Sequence, residues 1–229
     1  LGVGIQGPVV HVDHLDLLVD MMQPYDLDVK TEGEVIFTGA DVVVPAFALS
    51  VGETVVELKG KVKDVQTKPD MELDLGLNPI APSTLETVVG EPVLKQAALY
   101  AATITGPLED LQLDTTLSSE GLGEMDLNVG LGLEAKPMWW SVELVPKAFE
   151  VDGLVAAVPV PVKLDGSYGL KGTGTEWPQG IQATFDLQGN DQVLGGEPVS
   201  ELLLQGSLDA GKVTLDVFKA RHAVAVIDI

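Results

Sequence analysis

The chain has 229 residues, no Cys and a formal net charge of −22. That excludes a disulfide framework, a thiolate zinc site and a Cys nucleophile, and it leaves no general field that would draw in nucleic acid. Hydrophobic residues make up 45% but aromatics only 5%, so Leu and Val must build any core or lined cavity; no run of 18 apolar residues occurs, so no helix in this stretch is long and apolar enough to span a membrane.

At the amino end, Gly2-Val3-Gly4-Ile5-Gln6-Gly7 matches the dinucleotide fingerprint by letter. That motif needs a strand before it and a helix after it, whereas Pro8-Val9-Val10 continues as strand, and no cofactor is expected. His11 and His14 fall on opposite faces of a strand and so do not chelate one metal. Lys59, Lys61 and Lys63 form a period-two row with Leu58 and Val62 facing away. This predicts an edge strand guarded by its lysines, with a phosphate-attracting rim as the alternative. Met71, Leu73, Leu75 and Leu77 then alternate with Glu72, Asp74 and Gly76. Asp70, Glu72 and Asp74 share one strand face. A calcium loop would want Gly and Glu where Leu75 and Ala81 stand, so the row reads as a solvated face.

Ser83-Thr84-Leu85-Glu86 is a capping box, with Gly90 placed to end a helix and Pro92 beyond it. The spacing predicts a helix of about two turns. Leu94, Ala97, Ala98 and Leu99 fit a helix too, but Tyr100, Thr103 and Ile104 favour a strand from Ala97 onward. Leu111, Leu113 and Leu117 alternate with Gln112, Asp114 and Thr116. Met125, Leu127, Val129, Leu131 and Leu133 alternate with Asp126, Asn128, Gly130 and Gly132, the cleanest period of two in the chain. Trp139 and Trp140 are adjacent, so at most one faces the oily side; the third tryptophan is in Trp177-Pro178. Ile181, Ala183, Phe185 and Leu187 alternate with Gln182, Thr184 and Asp186. Val213, Leu215 and Val217 alternate with Thr214 and Asp216, and Phe218 breaks the pattern. His222 stands alone beside Arg221.

Leu58-Lys59-Gly60, Ile104-Thr105-Gly106, Leu164-Asp165-Gly166 and Leu204-Gln205-Gly206 share one phrase: apolar, polar, Gly. Glycine inside a strand marks a bulge, a bend or a close backbone approach. The uneven spacing of these glycines argues against a propeller or a strict solenoid and suits strands of unequal length in one extended sheet. No Ser, His and Asp set and no isolated carboxylate pair stands out, so the chain reads as non-enzymatic, with no metal site. No composition shift marks a boundary. The chain opens at Leu1 and closes on Ala223-Val224-Ala225-Val226-Ile227-Asp228-Ile229, an open strand. Residues 1–229 are therefore expected to be a single β-rich segment of a longer protein whose anchors and targeting signals lie elsewhere.

Three stretches carry a family resemblance: Ile104-Thr105-Gly106-Pro107-Leu108-Glu109-Asp110-Leu111-Gln112-Leu113-Asp114, the run from Leu164 to Gly174, and the run from Gly195 to Gly211. With the short helix near Ser83 between strands, the chain resembles the TamB and AsmA-like family of Gram-negative envelope proteins. The resemblance implies an all-β fold, an elongated and curved sheet of taco-like or partly wound form, with at most one or two short helices and an oily groove along its concave face. It also implies a periplasmic location in an inner-membrane-anchored protein, phospholipid acyl chains as the cargo moved toward the outer membrane, and a part in outer-membrane protein assembly with a barrel partner like TamA. The carboxy-terminal region through which TamB meets that partner is not recognisable here, and the amino-terminal anchor is absent.

The physical chemistry fits that mechanism. An acyl chain gains about 0.8 kcal/mol for each methylene taken from water, and a Leu/Val surface offers this without directional bonds. Leu111, Leu113, Leu127, Val129, Leu131, Leu144, Phe185 and Leu187 are the expected groove-lining residues. Two other classes compete. An acidic extracellular β-sandwich of adhesin type would suit the charge. An outer-membrane barrel would suit the alternation but calls for aromatic girdles that the composition lacks.

Overall fold

The computed structural model describes residues 9–12, 29–175, 180–222 and 225–228. The fingerprint at 2–7, His14 and Trp177-Pro178 lie outside the described residues. The strands are β1 (Val9–Val12), β2 (Val29–Thr38), β3 (Asp41–Val51), β4 (Thr54–Lys63), β5 (Asp70–Ile80), β6 (Ala98–Pro107), β7 (Leu111–Ser119), β8 (Gly123–Gly132), β9 (Trp139–Lys147), β10 (Phe149–Glu150), β11 (Val162–Leu164), β12 (Gly166–Thr173), β13 (Gln182–Leu194), β14 (Glu197–Asp209), β15 (Lys212–His222) and β16 (Ala225–Asp228). Two helices interrupt them, α1 (Pro82–Val89) and α2 (Val151–Leu154).

All sixteen strands join one antiparallel sheet, and each strand from β1 to β8 pairs with the next in sequence. The path then runs β9-β12-β13-β14-β15-β16, with β10 paired to β11. This is not a change of topology. Ala148, at φ 50, separates β9 from β10. β11 pairs with β13 on the same side as β12 does. β9–β10 and β11–β12 are thus two long strands, each bent once, and the sheet is a meander from end to end. It is open and curled, in keeping with the expected elongated all-β architecture. The described strands make one sheet, not the two stacked sheets of a sandwich.

The apolar-polar-Gly phrases fall at the irregular points. A side chain at Gly60 (φ 133) would overlap the Glu72 carbonyl oxygen of the neighbouring strand, and one at Gly166 (φ 142) would overlap that of Gln188. Both are close backbone approaches that only glycine permits. At Gly206 the register slips: Gln205 pairs with Val217 but Gly206 pairs with Leu215, leaving Asp216 as an extra residue in β15. That bulge explains Phe218. Beyond it the parity reverses, so Phe218 pairs with Leu204 and joins the face that Leu215 already occupies.

α1 forms where expected but not by the expected cap. Ala81 is the N-cap residue and makes no side-chain cap bond, and a proline opens the first turn. Ser83 Oγ instead donates to Glu53 Oε2 at 2.9 Å, and Thr84 Oγ1 accepts the Glu53 backbone N–H at 3.1 Å. The hydroxyls tie α1 to the β3–β4 turn rather than to its own backbone. Gly90, in the left-handed region, ends the helix as foreseen.

Few apolar residues are fully buried. Among the described residues they include Val44, Ala81, Ala98, Ala102, Phe149 and Leu154. Ala98, Phe149 and Leu154 form one cluster, joined by Ile80, Leu94, Leu117, Leu122, Met125, Val151 and Val155. Residues 93–95 and 154–156 interlock beside it, with Lys95 N–H bonded to Leu154 O and Ala156 N–H to Val93 O. Lys95 Nζ donates to Asp152 O at 2.6 Å. This closed core fills one end of strands β5 to β9, the end that carries both helices. Neither α2 nor the strap is signalled in the sequence.

The lysine row is corrected. β4 lies between β3 and β5, not at an edge. Lys59 meets Asp74 at 3.5 Å and Lys61 meets Glu72 at 2.7 Å, while Lys63 stands opposite Asp70. The lysines face the acidic row of β5 as cross-strand pairs.

Candidate functional site

In an antiparallel ladder, paired residues project to the same side. The register therefore shows which side chains share a face. One row runs Leu73, Ile104, Leu113, Val129, Val142, Leu170 and Phe185 across β5 to β13. The next runs Leu127, Leu144, Tyr168, Leu187, Leu204 and Phe218 across β8 to β15. A third begins Leu111, Leu131 and Trp140. Leu111, Leu113, Leu127, Val129, Leu131, Leu144, Phe185 and Leu187 all lie on this face. On β3 and β4, Phe47 and Leu58 extend it.

The face is half-covered rather than closed. All eight of those residues are partly exposed, and Leu170 is 42% exposed. Along β13 the polar residues Gln182, Thr184, Asp186 and Gln188 are exposed while Ala183, Phe185 and Leu187 between them are half-buried. The inner side of the curl is therefore the apolar one. Several members escaped sequence reasoning. Tyr168 and Leu170 sit in the glycine-rich β12, where the alternation is thin, and Phe218 is masked by the bulge. Val142 and Trp140 alternate along β9 with the expected Leu144 and could have been read with it.

The opposite face is polar. One row runs Asp74, Thr103, Asp114, Asn128, Glu143, Gly169, Asp186 and Gln205. Thr103 Oγ1 donates to Asp74 Oδ1 at 3.1 Å, and Thr116 Oγ1 to Asp126 Oδ1 at 2.8 Å. Lys147 lies between Glu124 at 2.6 Å and Asp126 at 2.7 Å. Its hydrogen bond to Asp126, then that to Glu124, raises the ammonium above its ordinary range, and the same bond holds the Asp126 carboxyl low. Lys61 and Glu72 shift in the same sense, chiefly through their mutual hydrogen bond.

The two adjacent tryptophans divide as expected. Trp140 pairs with Leu131 and Gly172 on the apolar face, and Trp139 pairs with Gly132 on the polar one. The Trp139 ring lies over Gly132 and Gly130, where any Cβ would collide with it. The glycines in the β8 alternation make room for that ring. Among the described residues no three His, Cys, Asp or Glu side chains are grouped to hold a metal ion, and no helix is long and apolar enough to cross a membrane. Compared with known proteins, the chain matches no family model, no curated protein and no solved structure.

Proposed function

We propose that this chain is a segment of a hydrophobic conduit that carries phospholipid between the inner and outer membranes, within an AsmA-like or TamB-like protein of the periplasm. One observation carries the reading: a single apolar face continues from β3 to β15, and past the closed core at the helix-bearing end of β5 to β9 no second protein layer lies over it among the described residues. At the usual strand spacing the face extends about 50 Å across the strands, longer than one lipid. Its Leu, Val and Phe side chains recur row after row, and Thr115, buried among them, donates its hydroxyl to Leu127 O. An acyl chain moving from row to row exchanges one set of equivalent contacts for another, so no large barrier separates positions. The acidic outer face keeps the other side of the sheet wetted.

The reading is tested by isolating the chain from bacterial cells under native conditions. Native mass spectrometry should find co-purified phospholipid, and a photo-reactive residue at position 127 should crosslink to it. No bound lipid and no crosslink would refute the conduit. Val129→Arg places a charge in the middle of the face, where a cation has no partner. It should reduce lipid occupancy at least tenfold, about 1.4 kcal/mol, while far-UV circular dichroism stays unchanged.

A further inference from the structure

We propose that the polar face carries a binding site for a neutral oligosaccharide, a shallow cleft across β9, β12, β13 and β14 with the Trp139 ring at one end. This site is independent of the conduit, which uses the other face of the sheet. Two rows of the polar face frame the cleft. The register sets Trp139, Thr173, Gln182 and Asp209 side by side, and next to them Ser141, Lys171, Thr184 and Ser207. A hollow of about 630 Å³ lies between the two rows. A second, of about 380 Å³, adjoins it and shares Ser141, Lys171 and Thr184. It lies over Gly169, where a Cβ would meet nothing nearer than the Asp186 carbonyl oxygen at 3.5 Å.

The polar groups around the cleft are free to bond outward. Thr103, Thr116 and Ser167 on the same face each donate to a carboxylate. Ser141, Lys171, Thr173, Thr184 and Ser207 instead make no side-chain hydrogen bond or ion pair among the described residues. Asp209 and Asp186 each have one carboxylate oxygen taken, by Gln182 at 3.2 Å and by Gln188 at 3.0 Å, and the other open. Trp139 supplies a platform. Side chains at Gly132 and Gly130, two residues apart on β8, would both collide with its ring, so the ring lies lengthwise along that strand. The residue is half-buried, with one side of the indole on the glycine backbone and the other outward.

The occupant follows from that combination. A sugar ring has an apolar C–H face, which packs on an indole, and a rim of hydroxyls that both donate and accept. Serine and threonine hydroxyls offer both roles, lysine donates and carboxylates accept. An anion is disfavoured, because Glu143, Asp186 and Asp209 border the hollows against Lys171 alone. A metal ion finds no group of three ligating side chains among the described residues. A peptide cannot add a strand, since β9, β12, β13 and β14 are each paired on both sides. Hydrocarbon would strip water from the hydroxyls and charges and return no bond to them.

The test uses a protein carrying Trp140→Phe and Trp177→Phe, which leaves Trp139 as the reporter. It is titrated at millimolar concentrations with the linear hexamers of glucose, of N-acetylglucosamine and of galacturonic acid. At least one of the two neutral hexamers should change Trp139 fluorescence saturably, and the acidic one should not. Replacing two hydroxyls of the cleft together, Ser141→Ala with Thr184→Ala, should weaken that binding about tenfold with the circular dichroism spectrum retained. Ser167→Ala, whose hydroxyl already bonds to Glu143, should leave it unchanged. No saturable change with either neutral hexamer would overturn the site. So would an equal response to the galacturonate hexamer, or a response untouched by the double substitution. Co-purified lipid without a saccharide response would overturn the site and leave the conduit standing, and a saccharide response without lipid would do the reverse.

Discussion

At the residue scale, the most exacting positions are those where one backbone passes close to another. Gly60 combines a positive φ with the Glu72 carbonyl oxygen directly where a side chain would stand. Gly39 (φ 64) has nothing within 4 Å of the same site. Gly60→Ala should therefore cost about 1–3 kcal/mol, a fall in Tm of about 2–4 °C for each kcal/mol in a chain of this size, and Gly39→Ala clearly less. Thermal melts followed by circular dichroism compare them directly. Lys147 sets a second residue-scale expectation. Asp126 titrates below its ordinary 3.8 because it accepts bonds from Lys147 and Thr116. A carboxyl held low in the folded state stabilises above its unfolded pKa, and that contribution disappears as pH falls through the folded value. Asp126→Asn should lower Tm slightly at neutral pH, and the gap from the parent chain should close as pH drops below 3.8. Lys147 works in the other direction. Its raised pKa stabilises below 10.5 and is lost as pH rises through the folded value. A gap that stays constant down to acid pH would show that the pair contributes nothing.

At the scale of the element, the register explains both what the sequence disclosed and what it hid. Deleting Asp216 should leave Leu215 opposite Gly206 and Phe218 opposite Leu204, because Asp216 has no partner in β14. The change should cost about 0.5 kcal/mol or less. Deleting Asn128 from the middle of β8 should turn half of that strand's side chains to the wrong face and remove the cooperative melt. Equal effects of the two deletions would contradict the bulge. Alternation in β5, β7, β8 and β13 was legible because a strand's two faces depend only on local sequence, and so all eight expected lining residues fell on one side. The lysine row misled because strand order is not local. Three lysines in alternation guard an edge or face three acids across a ladder equally well, and only the position of β5 beside β4 decides. The helix near Ser83 was read from its capping box and its terminating Gly90; Gly90 ends it, but the hydroxyls of the box found Glu53, distant in sequence. α2 and the strap at residues 93–95 and 154–156 depend on tertiary pairing, which no short window of sequence contains.

At the scale of the whole molecule, the open sheet has a measurable consequence. The chain exposes 14055 Å² for a mass of 24.1 kDa, against about 10,000 Å² for a compact monomer of that mass. The apolar face contributes to this excess, and it is surface the protein would bury on meeting hydrocarbon. Any ligand that binds the folded sheet and not the unfolded chain stabilises by mass action, by about 2.7 kcal/mol at a hundredfold excess over its Kd. For a chain of this length that is a rise in Tm of about 5–10 °C. Delipidated protein titrated with short-chain phospholipid below its micelle concentration should show this rise, saturating with lipid concentration. Val129→Arg should show little of it, and the Asp126→Asn change on the outer face should leave it intact. Calcium supplies the contrast. An acidic adhesin-like module gains rigidity by binding cations between its carboxylates, whereas here the carboxylates of the outer face are spread along rows and partly matched by Lys59, Lys61 and Lys147. Calcium should therefore move Tm by less than phospholipid does. A large calcium shift with no lipid shift would transfer the function from the inner face of the curl to the outer one.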